Sequence, residues 1–108
     1  MGLVVNFPVE FEDRFCIALR DKKARNYAPT LNLDYEDVGE DKFDDNTRGC
    51  NYSFSVHPSL YNALFNWLSD VESIMGIPIK FRYAYSKKEA YTGYSDNNMY
   101  KHKWLKLF

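Results

Sequence analysis

The chain has 108 residues, 45% of them hydrophobic and 27% charged, and a net charge of −1. That is the length of one domain and the composition of a folded globular protein, and an aromatic content of 18% excludes a disordered chain. No apolar run reaches the roughly 18 residues that cross a bilayer, and "MGLVVNFP" has neither the basic start nor the long apolar stretch of a signal peptide.

Met1 and Gly2 open a myristoylation pattern, but Asn6 stands where Ser or Thr is needed. A cytoplasmic protein with no membrane contact is expected. Cys16 and Cys50 are too few for a disulfide framework and are expected to be reduced. The charge is unevenly spread. Residues 1–76 carry seven Lys/Arg against thirteen Asp/Glu, whereas residues 77–108 carry seven against two.

Leu3, Val5, Phe7, Val9 and Phe11 alternate, which predicts a strand with one buried face. Pro8 removes a ladder donor, so that strand should lie at an edge or break there. Phe15, Ile17 and Leu19 continue the alternation; Phe11, Phe15, Ala18 and Leu19 also fit a helix, and the strand is preferred. "DKKAR" follows as a polar turn, then "TLNLDY" as a further strand. Cys50, Tyr52, Phe54 and Val56 alternate with Asn51, Ser53, Ser55 and His57, the clearest strand in the chain.

A helix is expected over 58–76. Pro58 suits its first position, and Leu60, Leu64, Trp67, Leu68, Val71, Ile74 and Met75 share one face. Gly76 and Pro78 stop it. Ile77, Ile79, Phe81, Tyr83 and Tyr85 then alternate as a strand, and "MYKHKWLKLF" is expected as the last one. The predicted class is α+β: a single domain over 1–108, with a mainly antiparallel sheet of about 5–6 strands and one main helix packed on one face.

The segment "DYEDVGEDKFDDN" at 34–46 holds seven acidic side chains and one lysine. It is expected as an acidic loop. A calcium loop needs oxygen ligands at fixed positions, a central Gly and a closing Glu; the two registers starting at Asp34 and at Asp44 both fail. A solvating loop is the plain alternative. The sharper reading is an anionic surface that mimics a phosphate backbone and docks on a basic protein. Its contact residues are Asp34, Glu36, Asp37, Glu40, Asp41, Phe43, Asp44 and Asp45, with Val38 and Phe43 as apolar residues that a purely solvating loop does not need.

Basic and aromatic residues interleave from Lys80 to Lys106. Lys80, Arg82, Lys87, Lys88, Lys101, Lys103 and Trp104 form the alternative candidate, a nucleic-acid surface in which cations hold phosphates and rings stack on bases. On the helix, Tyr61 and Phe65 widen the apolar stripe beside uncharged Asn62, Asn66, Ser69 and Ser73, which suggests either an interface or cover for the sheet edge. His57 reads as a cap, His102 sits among lysines, and there is no glycine-rich phosphate loop and no zinc spacing. The tripeptide Asn51-Tyr52-Ser53 is a chance match to a glycosylation acceptor.

Taken together, these residues predict a non-enzymatic protein-binding module without cofactor or metal. An inhibitor of a nucleic-acid-handling host protein, of the type phages and mobile elements encode, fits that description by analogy. Nucleic-acid binding through 80–106 is the first alternative, and a small acid–base nuclease using His57 and His102 the second. Self-association of the acidic segment with the basic end is a further reading.

Overall fold

The computed structural model describes residues 2–21, 33–95 and 100–107. The alternating apolar start forms strand β1, Gly2–Pro8, and it lies inside the sheet instead of at an edge. It pairs antiparallel with β3 (Thr47–Ser55) from Gly2↔Ser55 to Pro8↔Gly49. On its other side it pairs with β4 (Lys80–Ala84) from Gly2↔Ala84 to Asn6↔Lys80. The β4 ladder stops at Asn6, so the donor that Pro8 lacks is not needed on that side.

Pro8 does break the strand. A 3-10 turn over Val9–Phe11 leads into helix α1, Glu12–Asp21, where the alternation had predicted a strand. The helical spacing prevails because Phe15, Ala18 and Leu19 are buried together while Ile17 faces solvent. Glu12 and Asp13 in the first turn and Arg20 in the last complement the helix dipole, a signal that alternation does not carry. Beyond Asp21 the expected polar turn lies outside the described residues, as do Thr30, Leu31 and Asn32 of the expected following strand.

The acidic segment is not a loop. Asp34–Asp44 forms strand β2, which turns at Asp45 and Asn46 into β3. After β3, the His57 Nδ1 accepts the Ser59 N–H at 3.1 Å, and a 3-10 turn over Pro58–Leu60 opens helix α2, Tyr61–Met75. Gly76 closes α2 at φ 69°, the left-handed conformation that glycine adopts without cost. Leu64, Trp67, Leu68 and Val71 are buried. Ile74 is 64% exposed, so the buried stripe ends one turn before the helix does.

Ile77 and Ile79 are buried as predicted, but β4 begins only at Lys80. A short helix α3, Lys87–Thr92, follows where the sequence suggested only a polar loop. Ser86 caps it by accepting the Glu89 N–H, and Gly93 ends it. The expected last strand is reduced to β5, Leu105–Lys106, antiparallel to β4.

The sheet order is β2-β3-β1-β4-β5, antiparallel throughout. Strands β1 to β4 with α1 and α2 follow the β-α-β-β-α-β order of the split βαβ arrangement. Both long helices pack on one face, and Phe15 of α1 sits at the centre of the core. Its ring centroid lies 4.4 Å from Phe7, 5.6 Å from Tyr52, 6.3 Å from Phe54 and 5.7 Å from Trp67. Tyr61 and Phe65 rest on Tyr83 and Phe81, so the margin of the α2 stripe covers the sheet. The opposite face carries a smaller cluster of Val4, Ala84 and Ala90, with Val38 and Trp104 against it. The domain is thus α+β, with a third helix on the second face. Among the described residues no helix is long and apolar enough to cross a membrane.

Candidate functional site

Among the described residues strand β2 is an edge of the sheet, paired with β3 on one side only. Nine of its eleven residues are exposed, Val38 and Phe43 being the exceptions. Opposed residues in an antiparallel pair share a face, so the register divides the acidic side chains. Asp37 and Glu40 oppose Tyr52 and Cys50 and lie on the α1/α2 side. Asp34, Glu36 and Asp41 oppose Ser55, Ser53 and Gly49 and lie on the α3 side.

Two β-bulges account for the two apolar residues. The register passes from Asp37 to Gly39 and from Lys42 to Asp44, leaving Val38 and Phe43 unpaired. Gly39 takes φ 105°, and its N–H is accepted by the Asp37 carboxylate at 2.9 Å. The bulged Val38 packs against the Val4, Ala84 and Ala90 cluster. The bulged Phe43 lies beneath Lys80, whose ammonium is 4.4 Å from the ring centroid and donates to the Phe43 carbonyl oxygen. Gly49 makes room for this crossing, because a Cβ there would meet the Asn6 carboxamide at 2.6 Å and the Phe43 nitrogen at 3.0 Å. The apolar residues of the acidic segment therefore serve packing within the chain.

The carboxylates are engaged to different degrees. Glu40 forms an ion pair with Arg48 across the hairpin and raises that guanidinium's pKa. Glu36 accepts the Tyr91 hydroxyl, which lifts the phenol's pKa and ties α3 to β2. Asp44 accepts the Asn46 N–H at 2.9 Å. That bond and the Thr47 hydroxyl, with a lesser contribution from the field of Lys80, hold the Asp44 carboxyl below the usual aspartate range against the opposing effect of desolvation. Asp41 accepts the N–H of Lys42 at 2.7 Å. Asp34 and Asp45 are exposed at the start of the strand and at the turn. The eight candidate contact residues thus form one continuous hairpin edge, with Phe43 half-buried within it.

The basic candidates do not form one free surface. Arg82 is 4% exposed, and burial pulls its guanidinium pKa down. It donates to the Glu89 and Ala90 carbonyls at 2.8 and 2.9 Å, and it lies 4.9 Å from the centre of the half-buried Trp104 ring. Lys80 is occupied by Phe43. Lys87, Lys88, Lys101 and Lys103 are exposed. Four tyrosines are exposed in the same part of the chain: Tyr85, Tyr91, Tyr94 and Tyr100. Tyr85 continues the predicted alternation of Phe81 and Tyr83, but β4 ends at Ala84, one residue before it.

The groups that carry acid–base or thiol chemistry have structural partners. His57 caps the turn before α2. His102 Nε2 pairs with the buried Glu89 Oε1, between the rings of Tyr85 and Tyr100, and so fastens the C-terminal segment to α3. Sequence spacing gave no hint of this pair. Cys16 and Cys50 are both free thiols. Burial, with Glu12 beside it, pushes the Cys50 thiol up to about 12, and Cys16 lies 3.5 Å from the Tyr52 hydroxyl. Among the described residues no group of three or more His, Cys, Asp or Glu is placed to hold a metal ion. Comparison with protein-family models, with curated proteins and with solved structures gives no match to the chain.

Proposed function

We propose that the protein is a binding module that docks the acidic hairpin edge of β2 on a basic surface of a larger protein, without catalysis. One observation carries this reading: seven carboxylates lie along an eleven-residue exposed edge strand and its turn, and a single one of them is held in an ion pair among the described residues. An edge strand presents unpaired N–H and C=O groups, so an extended basic segment gains main-chain hydrogen bonds as well as charge complementarity. At about 3.4 Å per residue the strand offers carboxylates over some 35 Å, the scale of a run of phosphates on a nucleic acid. A nucleic-acid-handling enzyme, inhibited by this mimicry, is the partner class that fits best. The origin in a phage or mobile element stays an analogy of type.

The test is a pull-down from host lysate with tagged protein, with and without nuclease, followed by mass spectrometry. A stoichiometric protein that survives nuclease and is lost when Asp34, Glu36, Asp37 and Asp41 are neutralised supports the reading. A second reading, single-stranded nucleic-acid binding, is favoured by the four exposed tyrosines near Lys87, Lys88, Lys101 and Lys103. Recovery of nucleic acid alone, with binding that weakens steeply with salt, selects it over the first.

A further inference from the structure

A groove of about 480 Å³ opens where the hairpin tip, the end of α2 and the C-terminal strand meet. Its apolar walls are Phe43 from β2, Ile79 before β4 and Leu107 after β5, three segments far apart in the chain. Its charged lining residues are Glu72, Lys80 and Lys106. That volume and a mainly apolar lining with a few polar groups are the form of a small-molecule site.

The charged lining residues define the polar end of the occupant. Lys80 and Lys106 are directly opposed in the β4–β5 ladder. Opposed side chains share a face with their Cβ atoms about 5 Å apart, and like charges in that position are destabilising. Glu72 lines the same groove, and its Oε2 accepts the Ile79 N–H at 3.0 Å, which holds its carboxylate at the backbone before β4. Lys80 gives one of its three donors to the Phe43 carbonyl and lies in the field of Asp44. Lys106 is exposed, and its ammonium has no hydrogen bond or ion pair among the described residues. Two lysines with donors to spare thus line an apolar groove. An anion between them satisfies those donors and offsets their repulsion.

We propose that this groove binds a small amphiphilic carboxylic acid, its apolar body against Phe43, Ile79 and Leu107 and its carboxylate between Lys80 and Lys106. The groove shares Phe43 with the acidic edge but takes none of that edge's carboxylates into its lining, so decanoate binding is read independently of whether the edge docks on a protein.

The experiment is a titration of the full chain with decanoate, followed by amide chemical shifts. Decanol, decyltrimethylammonium and acetate test body and head separately. Saturable shifts centred on Ile79, Lys80, Lys106 and Leu107 are expected with decanoate, weaker ones with decanol, and none with acetate. Lys106→Ala changes an exposed side chain and keeps the fold; it should loosen decanoate about tenfold and leave decanol unchanged. Leu107→Ala should loosen both. Absence of saturable shifts, equal binding of decyltrimethylammonium, or an unchanged decanoate affinity in Lys106→Ala would each overturn the proposal. So would a peptide ending in Phe that binds more than tenfold tighter than decanoate, since a chain terminus would then be the occupant.

Discussion

Lys80 Nζ stands 4.4 Å from the centre of the Phe43 ring and donates to that residue's carbonyl oxygen, so the tip of the acidic hairpin is tied across the sheet to β4. The tie combines a cation–π contact with a charge-assisted hydrogen bond, together worth about 1–3 kcal/mol when partly desolvated. Phe43→Ala removes the ring and leaves the carbonyl. It should lower stability by about 1–2 kcal/mol and loosen the tip. Amide hydrogen exchange checks this: protection should fall at 41–48 and hold in α2. Unchanged exchange at the tip would mean that the ring contact does not order it.

Arg82 is buried with both its bonds directed at carbonyls of α3. Arg82→Ala leaves those carbonyls short of a donor and uncovers Trp104, so the expected loss is about 2–3 kcal/mol. Chemical denaturation measures it. Lys87→Ala and Lys88→Ala on the exposed side of the same helix should shift stability by less than about 0.5 kcal/mol each. If Arg82→Ala is as mild as the lysine changes, its guanidinium is a surface group and the nucleic-acid reading gains a residue.

The sequence made the long helix and β3 legible because their signals are redundant: period, Pro58, Gly76 and Pro78 agree for one, and clean alternation marks the other. It failed at α1, where Phe15, Ile17 and Leu19 satisfy both periods and only the end charges decide. It failed at α3 because six residues are too short for a periodic signal; Ser86 and Gly93 were the cues available. The acidic segment read as a loop because Asp and Gly are poor strand formers. What makes it a strand is the partner β3, a tertiary effect. Val38 and Phe43 were visible as anomalies, but bulges turn them toward the sheet, and a register shift cannot be read from one strand alone.

Neutralising Asp34→Asn, Glu36→Gln, Asp37→Asn and Asp41→Asn together spares the Glu40–Arg48 pair and the Asp44 turn. These sites are exposed, so the change in stability should stay within about 0.5 kcal/mol per site. Two other properties should move. The protein partner should be lost, and the edge, no longer guarded by like charge, should self-associate. Thermal unfolding, pull-down and light scattering report these three in turn. Retained partner binding in the quadruple variant would remove β2 from the interface.

Asp44 gives an acid-side prediction. Its carboxyl is held below the usual range, first by the Asn46 N–H, then by the Thr47 hydroxyl. A depressed folded pKa means that the unfolded chain binds the proton more readily. The contribution is therefore present above the ordinary aspartate pKa near 3.9 and is lost as pH falls through the lower folded value. Asp44→Ala should flatten the acid limb of a stability-against-pH curve below about pH 4. An acid limb identical to wild type would assign that dependence to other carboxylates.

Cys50 gives the alkaline counterpart. Its thiol is pushed up to about 12, chiefly by burial, against about 8.5 for a thiol in an unfolded chain. Between those values the unfolded chain has lost a proton that the folded chain keeps, so stability falls as pH rises through about 8.5 toward 12. Tyr52 lies beside it with its own pKa raised by burial, and it acts in the same direction at higher pH. Comparison with Cys50→Ala separates the two. The variant should cost about 1 kcal/mol at pH 7 through the lost packing, and it should lose less than wild type between pH 7 and 10. The same burial predicts that iodoacetamide at pH 8 leaves Cys50 unmodified in native protein and labels it in urea. Labelling of native Cys50 at the rate seen in urea would mean that β3 opens at that point, and the wild-type excess in alkaline loss should then vanish as well.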